Sequence, residues 1–433
     1  PPEEVDSWEE PLNMILESPK CKQIDVKTLD IIGVEDCLYI NVYTPWTDFP
    51  GDKSYPVMVW IHGGAFRNGD SSITLFRPDL MVQEDVVVVT FNYRLGAFGF
   101  LNLHHDDASG NAGLKDQNMA LKWVQKNIAN FGGDPNQVTI VGDTAGAVSV
   151  YLHLISDMSA GLFQQSISMS GSPLCLYWGF QKSKDAELYA KQLGHKLGFR
   201  PSSKDELLQA LLKADANEIV RKSKDLDTEL PFRPSLEMTD VAKGQEKFIT
   251  ECAFKRLREG KFLKGPHITG YALSDAASFS ESNSIDMKDF LRTVILENNL
   301  YLGSTQGLIM DNGPKSFTIL ATDILFAFGV DESERLIKAE NDEYPVYYYR
   351  YSEDPMHLID NAGNFTTPIY YYGYTVDAKH TANMSDDVIL GEYSTDSTHL
   401  SNGPFQEDLT QKDSMSLTRR RLLHMWANFI KTG

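Results

Sequence analysis

A threonine between two glycines is the residue of this sequence best placed for nucleophilic chemistry. The strand-like run Val138–Val141 comes before it, and the helix-capable run Ala147–Leu154 comes after it. Thr144 itself stands between Gly142 and Gly146. A strand that turns sharply into a helix lifts the hydroxyl at the turn above the sheet and points a helix N-terminus at it. Such a tight turn needs glycines, although the same pattern also occurs in ordinary turns.

A loop of small residues lies upstream of this turn. The segment His62-Gly63-Gly64-Ala65-Phe66 directly follows the apolar run Val57–Ile61. Backbone N–H groups in such a loop can reach a developing negative oxygen because no side chain stands in the way. With a nucleophile elbow further along the chain, the loop is better interpreted as an oxyanion hole than as a plain Gly-Gly turn.

The elements that must position these groups form an alternating pattern. Several of the strand-like runs are almost continuously hydrophobic, which is typical of strands buried on both faces of a parallel sheet. These runs are Val57–Ile61, Val86–Asn92, Val138–Val141, Gln165–Ser170, His267–Tyr271 and Val346–Tyr351. Helical segments separate them, so the sequence predicts an α/β fold with a mostly parallel, doubly wound sheet.

One helix can be followed residue by residue. An apolar face is formed by Leu121, Val124, Ile128 and Phe131, which are spaced three and four apart. Glycines 132 and 133 supply its end, and residues 134–136, Asp-Pro-Asn, predict a short turn before the next strand.

The chain contains no internal repeat or linker that would divide it, so residues 1–433 are predicted to form a single domain. Residues 182–260 are mostly helical in pattern and contain no convincing strand. We expect them to be an insertion that packs over one end of the sheet.

Composition excludes several classes of partner. The net charge of −20 argues against nucleic acid and against an anionic membrane surface. It favours neutral or cationic small molecules over anionic ones. No apolar run approaches the roughly 20 residues that a membrane helix needs.

Four cysteines leave two interpretations open. Cys21 and Cys37 are close enough in sequence to form a disulfide in an oxidising compartment, which would favour secretion or the endoplasmic reticulum lumen. The alternative is that all four cysteines, which include Cys175 and Cys252, are buried thiols. No CxxC or His/Cys cluster indicates a metal, and no cofactor is predicted. The chain starts at Pro1 without a signal-like segment, which is typical of a processed or trimmed piece.

Several segments resemble the type-B carboxylesterases, in particular the α-esterase type of insects. The likeness covers most of the chain and is most specific between Glu35 and Gly171. It is looser from Lys182 to Lys338. The segments that carry it are Glu35–Pro45 (EDCLYINVYTP), Asn92–Gly96, Gly110–Gln117, Asn130–Pro135, Ser168–Ser172, Pro345–Arg350 and Met425–Phe429. The resemblance implies an α/β-hydrolase fold, with helical insertions over the C-terminal edge of the sheet.

The resemblance also implies a catalytic triad in the order nucleophile, acid, base. Thr144 stands where the family carries its serine. The acid follows the strand His267–Tyr271, where Asp275 takes the position of the family's usual glutamate and Glu281 is a weaker candidate.

The base belongs in a loop after Val346–Tyr351. His380 best matches the family's histidine, although the residues after it depart from the family's His-x-Asp-x-Leu pattern. His357 and His399 also qualify by position, whereas His424 lies in the closing amphipathic helix and is interpreted as structural.

Other roles follow from the same comparison. Oxyanion-hole N–H groups would come from Gly64, Ala65 and Ala145, and Cys21 and Cys37 would form the family's first disulfide. The loop that they close contains no tryptophan, which argues against the choline binding of cholinesterases. A further implied contact is a structural ion pair between Arg94 and Asp116.

Two further points concern glycosylation and the two ends of the chain. Asn364 and Asn383 begin glycosylation sequons, and a glycan on Asn383 would crowd His380. Family members carry a strand-rich segment that would precede Pro1 and more helix that would follow Gly433, so the resemblance implies a chain shortened at both ends.

Two functions are therefore predicted. The first is a carboxylic-ester hydrolase that acts through an acyl-enzyme on Thr144, slowly, because the methyl group restricts the hydroxyl. The alternative is an inactive relative that binds a hydrophobic ligand or a protein partner through the same scaffold. Thr144, the altered segment after His380 and a shortened region around Ser284–Ser316 favour this alternative.

Overall fold

The structure is a computed structural model. It describes residues 1–5, 17–45, 54–73, 76–226, 228, 230–273, 275–276, 320–351 and 414–433. The strands of this part are β1 (Gln23–Ile24), β2 (Ile31–Ile32), β3 (Ile40–Tyr43), β4 (Tyr55–Ile61), β5 (Val87–Phe91), β6 (Asn102–His105), β7 (Ala108–Ser109), β8 (Gly133–Asp143), β9 (Gln165–Met169), β10 (His267–Ala272) and β11 (Val346–Tyr351).

The helices alternate with the sheet strands through much of the chain. They are α1 (Asp79–Gln83), α2 (Gly96–Phe100), α3 (Ala112–Asn127), α4 (Ala145–Leu154), α5 (Ser183–Lys196), α6 (Lys204–Lys213), α7 (Ala216–Ser223), α8 (Ala253–Arg258), α9 (Phe328–Glu340) and α10 (Ser414–Thr432). A π-helical turn, Asp323–Ala327, runs directly into α9. Within the described ranges, every helix is too short or too polar to cross a membrane.

The central sheet has the strand order β11-β10-β9-β8-β4-β5-β3. Every neighbouring pair is parallel except β3 and β5, which are antiparallel. The predicted α/β fold with a mostly parallel sheet is confirmed. All six predicted strands are present, whereas the edge strand β3 was not predicted as a strand.

Alternation along the strands supplies a core on each face of the sheet. In β4, Val57, Val59 and Ile61 pack into one apolar cluster, which α3 and α4 cover. Met58 and Trp60 point to the opposite cluster, which the closing helix α10 covers. Because successive side chains of a strand point to opposite faces, a strand with both faces covered must be apolar throughout, as the sequence is.

The helix α3 ends as its sequence predicts, but the turn that was predicted after it is absent. Leu121, Val124 and Ile128 are fully buried, and Gly132 takes a positive φ of 80° after a short 3-10 turn. The predicted turn at residues 134–136 is wrong, because these residues already belong to β8. The ladder between β4 and β8 shifts register there, so the Asp-Pro-Asn segment pairs irregularly with the neighbouring strand.

Residues 182–260 contain the four helices α5 to α8 and a long irregular stretch between α7 and α8. This stretch is joined to α3 by buried polar contacts. Lys115 Nζ lies 2.7 Å from Glu237 Oε2, with both side chains almost fully buried. Asn111 donates to the carbonyl of Ser235 at 2.7 Å and to Glu237 at 3.0 Å.

Candidate functional site

Thr144 occupies a strained turn between β8 and α4. Its φ of 48° and ψ of −109° lie outside the regions that β-branched residues adopt readily. Its N–H donates to the carbonyl of Met169 at 2.9 Å, and its carbonyl accepts from Val148 at 3.0 Å. Two neighbouring elements therefore hold the turn in place, as expected for a strained residue that the surrounding structure maintains.

The glycines on either side of Thr144 are required by close backbone contacts. A Cβ on Gly142 would overlap the carbonyl group of Gly146. A Cβ on Gly146 would overlap the carbonyl oxygen of Ile61, at the end of β4. The sequence pattern thus corresponds to a sharp elbow rather than to an ordinary turn.

The loop after β4 packs directly on this elbow. A Cβ on Gly63 would overlap the hydroxyl oxygen of Thr144. Gly64 and Ala65 both have positive φ, 104° and 53°. Ala145 opens α4, so its N–H is one of the amides that a helix leaves without an internal partner. The structure thus places the loop of Gly63 beside the Thr144 hydroxyl and the first turn of α4 directly after it.

Side chains behind this loop fix its conformation. Tyr93 donates its hydroxyl hydrogen to the carbonyl of His62 at 2.8 Å, and the two rings stack with centroids 4.3 Å apart. Gln23 forms two hydrogen bonds of 2.9 Å with the backbone of Gly69. The loop is therefore held from two sides.

Asp275 lies in the turn that follows β10. Its Oδ2 accepts from the N–H of Ala272 at 3.0 Å. Burial raises the pKa of Asp275 to about 7, although this hydrogen bond and the nearby side chain of Ser170 favour the charged form. Its Oδ1 is buried and has no partner among the described residues, so one acceptor remains available.

The end of β9 connects the elbow with the strand that precedes Asp275. Met169 accepts from the N–H of Thr144, and the next residue, Ser170, donates its N–H to the carbonyl of Gly270 in β10 at 2.8 Å. The structure thus places the predicted nucleophile and the predicted acid on either side of one short segment. Thr144 Oγ1 is itself buried and without a hydrogen-bond partner in the described part of the chain.

A second carboxyl group beside Thr144 was missed by the sequence analysis. Asp143 is 1% exposed, and neither of its carboxyl oxygens has a partner among the described residues. Burial, together with the nearby charge of Asp275, raises the pKa of Asp143 well above its usual range. The position of a Cβ on Gly63 lies 3.5 Å from Asp143 Oδ2, so this carboxyl and the Thr144 hydroxyl border the same small space. Its place in the Gly-x-Thr-x-Gly pattern was the only signal available.

The remaining predicted site residues lie outside the described part of the chain. These are His357, His380 and His399 as candidate bases, Glu281 as the weaker acid, and the sequon residues Asn364 and Asn383. Among the described residues, no group of three or more His, Cys, Asp or Glu side chains is arranged to hold a metal ion.

The sequence matches the profile of the Carboxylesterase family over residues 1–433. The chain belongs to this family. It is 33% identical over 390 residues to a carboxylic ester hydrolase of Bombus ignitus, covering 82% of this chain and 68% of that protein. It is 34% identical over 391 residues to a juvenile hormone esterase of Tribolium castaneum, covering 81% of this chain and 65% of that protein. The chain thus spans about two thirds of the length of these relatives.

The fold agrees with this membership. A crystal structure of a carboxylesterase from Geobacillus stearothermophilus superposes with a TM-score of 0.71 and 25% identity, covering 100% of this chain and 83% of that one. These relatives support a hydrolase of carboxylic esters.

Two further features that the resemblance implied are present, the disulfide and the ion pair. Cys21 and Cys37 form a disulfide, so the interpretation as four buried thiols is wrong. Cys175 is buried and free, whereas Cys252 is free and exposed. The guanidinium of Arg94 contacts Asp116 in a two-bond ion pair of 2.6 and 2.8 Å. His424 lies in α10, 2.9 Å from Glu84, which agrees with a structural role.

Proposed function

We propose that this carboxylesterase-family chain hydrolyses carboxylic esters through an acyl-enzyme on Thr144. The observation that carries the proposal is the Thr144 hydroxyl. Thr144 is 6% exposed, and its hydroxyl has no hydrogen-bond partner among the described residues. Its backbone has a positive φ, and the hydroxyl lies against the Gly63 loop. Packing alone gives no reason for keeping a buried hydroxyl unsatisfied on a strained backbone.

The reaction would use three side chains. His380 would accept the proton of Thr144 Oγ as this oxygen attacks the ester carbonyl. Asp275 would fix the tautomer of the imidazole and stabilise its charged form. The N–H groups of Gly64, Ala65 and Ala145 would bind the oxyanion. The alcohol would leave with the proton from His380, and a water molecule would then release the acid by the same steps.

The topology supports a base from the region after β11. In the ladder between β10 and β11, Ala272 pairs with Tyr351, so the two strands end side by side. The strand β11 therefore ends at the edge of the sheet where Asp275 lies. In parallel sheets, residues that follow neighbouring strands at this edge commonly share one site.

Threonine would make the enzyme slow. Its methyl group restricts χ1, and the left-handed backbone of the elbow is costly for a β-branched residue. If this misfit costs about 3–4 kcal/mol in the transition state, the rate falls by roughly two to three powers of ten.

The proposal is tested by hydrolysis of a short p-nitrophenyl ester. Thr144→Ser should raise kcat/KM by about a hundredfold, because the hydroxyl stays and the methyl is removed. His380→Ala in the Thr144→Ser background should abolish this gain. The control is His424→Ala, which removes an exposed histidine of α10 and should leave the rate unchanged.

The alternative function is a non-catalytic scaffold that binds a hydrophobic ligand or a protein partner. The strained backbone of Thr144 is the observation that favours it, because threonine fits this elbow less well than serine does. If neither Thr144→Ser nor His380→Ala changes the rate of hydrolysis, the non-catalytic scaffold is the correct function.

A further inference from the structure

The π-helical turn Asp323–Ala327 has contacts that lead to both groups of the candidate site. The turn is closed by a hydrogen bond from the N–H of Phe328 to the carbonyl of Asp323, five residues earlier. Single π-turns within helices are rare and occur frequently at functional sites. The contacts of this turn with the acid and with the nucleophile elbow therefore bear on function.

Thr322, directly before the turn, is joined to the acid. Its Oγ1 accepts from the N–H of Ala276 at 3.1 Å, and Ala276 directly follows Asp275. Thr322 is 1% exposed, so water does not compete for this hydrogen bond. On the other side, the N–H of Asp275 donates to the carbonyl of Ala272 at 3.2 Å. The Thr322 hydroxyl therefore fixes the far end of the turn that carries the acid.

Two carbonyl groups of the π-helical turn are bound by the loop of residues 170–180, which follows β9. Trp178 donates its Nε1–H to the carbonyl of Leu325 at 2.9 Å, and its ring centroid lies 5.2 Å from that of Phe326. The thiol of Cys175 donates to the carbonyl of Phe326 at 3.6 Å. Burial raises the pKa of this thiol, so it keeps the hydrogen that it donates. The loop thus binds two consecutive carbonyls of the turn.

The helix α9, which continues from the turn, holds the same loop. A Cβ on Gly329 would overlap the backbone nitrogen of Cys175, so the helix and the loop are in close backbone contact. The hydroxyl groups of Ser172 and Ser333 are hydrogen-bonded to each other. The loop is therefore held by the turn and by the helix together.

Trp178 carries this contact to the elbow. Its ring lies 3.0 Å from the position of a Cβ on Gly171, and that same position is 2.4 Å from the carbonyl oxygen of Thr144. The Thr144 carbonyl in turn accepts from the N–H of Val148 in α4 at 3.0 Å. Closely packed groups of this kind transmit a displacement to one another. A shift of the indole would therefore move the elbow.

We propose that the π-helical turn sets the relative position of Thr144 and Asp275, with Thr322 and Trp178 as positioning residues. Thr322 holds the turn of the acid, and Trp178 holds the elbow of the nucleophile. Because both bind one short helical segment, the distance between the two catalytic groups is fixed by that segment. The inference rests on the proposed function, since this distance matters for catalysis only if both groups act on one ester.

The first test measures hydrolysis of the p-nitrophenyl ester in the Thr144→Ser background. Thr322→Val removes the acceptor of the Ala276 N–H at nearly the same shape. It should lower kcat by about 10- to 100-fold with little change in KM, because a misplaced acid weakens the transition state and not the binding of the ester. Thr322→Ser keeps the hydroxyl and should restore most of the rate.

Trp178→Phe gives an independent test of the other contact. It removes the indole N–H that binds Leu325 and keeps an aromatic ring, and it should lower kcat by about tenfold. The matched control is Trp426→Phe. Trp426 is also buried, but its Nε1 has no hydrogen-bond partner in the described part of the chain. This control should leave kcat unchanged.

The matched control for Thr322→Val is Thr139→Val. Thr139 is fully buried, and its hydroxyl is hydrogen-bonded to the side chain of Gln165 at 2.9 Å, where the ladder of β8 and β9 begins. Equal kcat in Thr322→Val and Thr139→Val would overturn the proposal, and so would a Thr322→Ser variant that is as slow as Thr322→Val. If Thr322→Val does not fold, an unchanged kcat in Trp178→Phe overturns the proposal instead.

A second measurement separates the positioning role from the esterase function. Urea unfolding across pH, with and without Asp275→Asn, gives the pKa of Asp275. Burial is the main cause that raises this pKa, and a loosened turn admits water. Thr322→Val should therefore lower the pKa towards its ordinary value of 3.8, whereas Thr139→Val should not.

The pKa of Asp275 decides the outcome in a protein without turnover. If neither the native chain nor Thr144→Ser hydrolyses an ester, the esterase function fails. A pKa that falls in Thr322→Val and not in Thr139→Val would then still support the positioning role of Thr322. A pKa that is the same in both variants would overturn it.

Discussion

Asp143, which precedes Thr144, and Asp275, which follows β10, are two buried carboxyl groups that influence each other electrostatically. Each raises the cost of charge on the other, because both are shielded from water and like charges repel. Within the described residues, Asp275 Oδ2 accepts a hydrogen bond from the N–H of Ala272, whereas both carboxyl oxygens of Asp143 are without a hydrogen-bond partner. This hydrogen bond favours the charged form of Asp275 over that of Asp143.

The pKa of Asp275 makes a prediction about stability. Its ordinary value is 3.8, and burial raises it to about 7. Between these pH values the folded state holds a proton that the unfolded chain has released, so stability falls as pH rises through this window. Asp275→Asn should therefore raise the free energy of unfolding by up to about 4 kcal/mol at pH 8 and change it little near pH 4. Urea unfolding at both pH values measures this difference.

The same substitution separates stability from catalysis. In the Thr144→Ser background, Asp275→Asn should lower kcat/KM by about a thousandfold or more. The control is Asp240→Asn, which changes an exposed aspartate and should affect neither quantity. An Asp275→Asn protein that is less stable at pH 8 would mean that a cation compensates this carboxylate.

At the scale of elements, the elbow depends on the contact between α4 and the end of β4. Gly146→Ala would ordinarily favour a helix, but here the added methyl would overlap the carbonyl oxygen of Ile61. We expect a loss of about 2–3 kcal/mol in unfolding free energy and a loss of the proposed esterase activity, because the displaced strand leads into the Gly63 loop beside Thr144. Thermal unfolding and the p-nitrophenyl ester assay measure the two effects.

The matched control is Gly161→Ala. Gly161 has a positive φ of 76° but open space around its Cβ position, so alanine should cost about 1–2 kcal/mol of backbone strain. This variant should keep its activity per folded molecule. If Gly146→Ala also keeps its activity, the close approach of α4 to β4 does not position the site.

The sequence predicted the elements whose signal is local. Strands such as β5, buried along their whole length, appear as unbroken apolar runs. The edge strand β3 is only partly buried, and its antiparallel pairing with β5 depends on a contact between distant segments. The irregular start of β8 was predicted as a turn because Asp-Pro-Asn favours turns locally.

The residues of the candidate site also divide into those with a local sequence pattern and those without one. Thr144 and its glycines could be predicted because the elbow imposes residue types at fixed spacing. Asp275 required a family resemblance, since a turn aspartate has no pattern of its own. Among the described residues, Asp143 is distinguished by carboxyl oxygens without a hydrogen-bond partner, which only three-dimensional contacts reveal.

At the scale of the whole molecule, Lys115 and Glu237 join the helical region of residues 182–260 to helix α3. Breaking such a buried pair leaves a charge without a partner and costs about 3–5 kcal/mol. We therefore expect Glu237→Gln to destabilise the whole chain by this amount in urea unfolding. Adding Lys115→Met should recover part of the loss, because the second charge is then removed as well.

The chain provides a matched control for this prediction. Lys122 and Glu246 join the same two regions at 3.8 Å, but both side chains are exposed. Glu246→Gln should cost less than about 1 kcal/mol. Similar costs for the two substitutions would contradict a role for burial in this junction.

The ring closed by Cys21 and Cys37 has a practical consequence. It contains Gln23, which holds Gly69, and the carbonyl of Cys37 accepts a hydrogen bond from Asn92. A batch expressed in a reducing cytosol would lack this crosslink, since disulfides persist in oxidising compartments. The segment that binds Gly69 through Gln23 would then be less constrained. A low turnover number of such a batch would reflect the expression host. Thiol counting should therefore accompany every rate comparison between preparations.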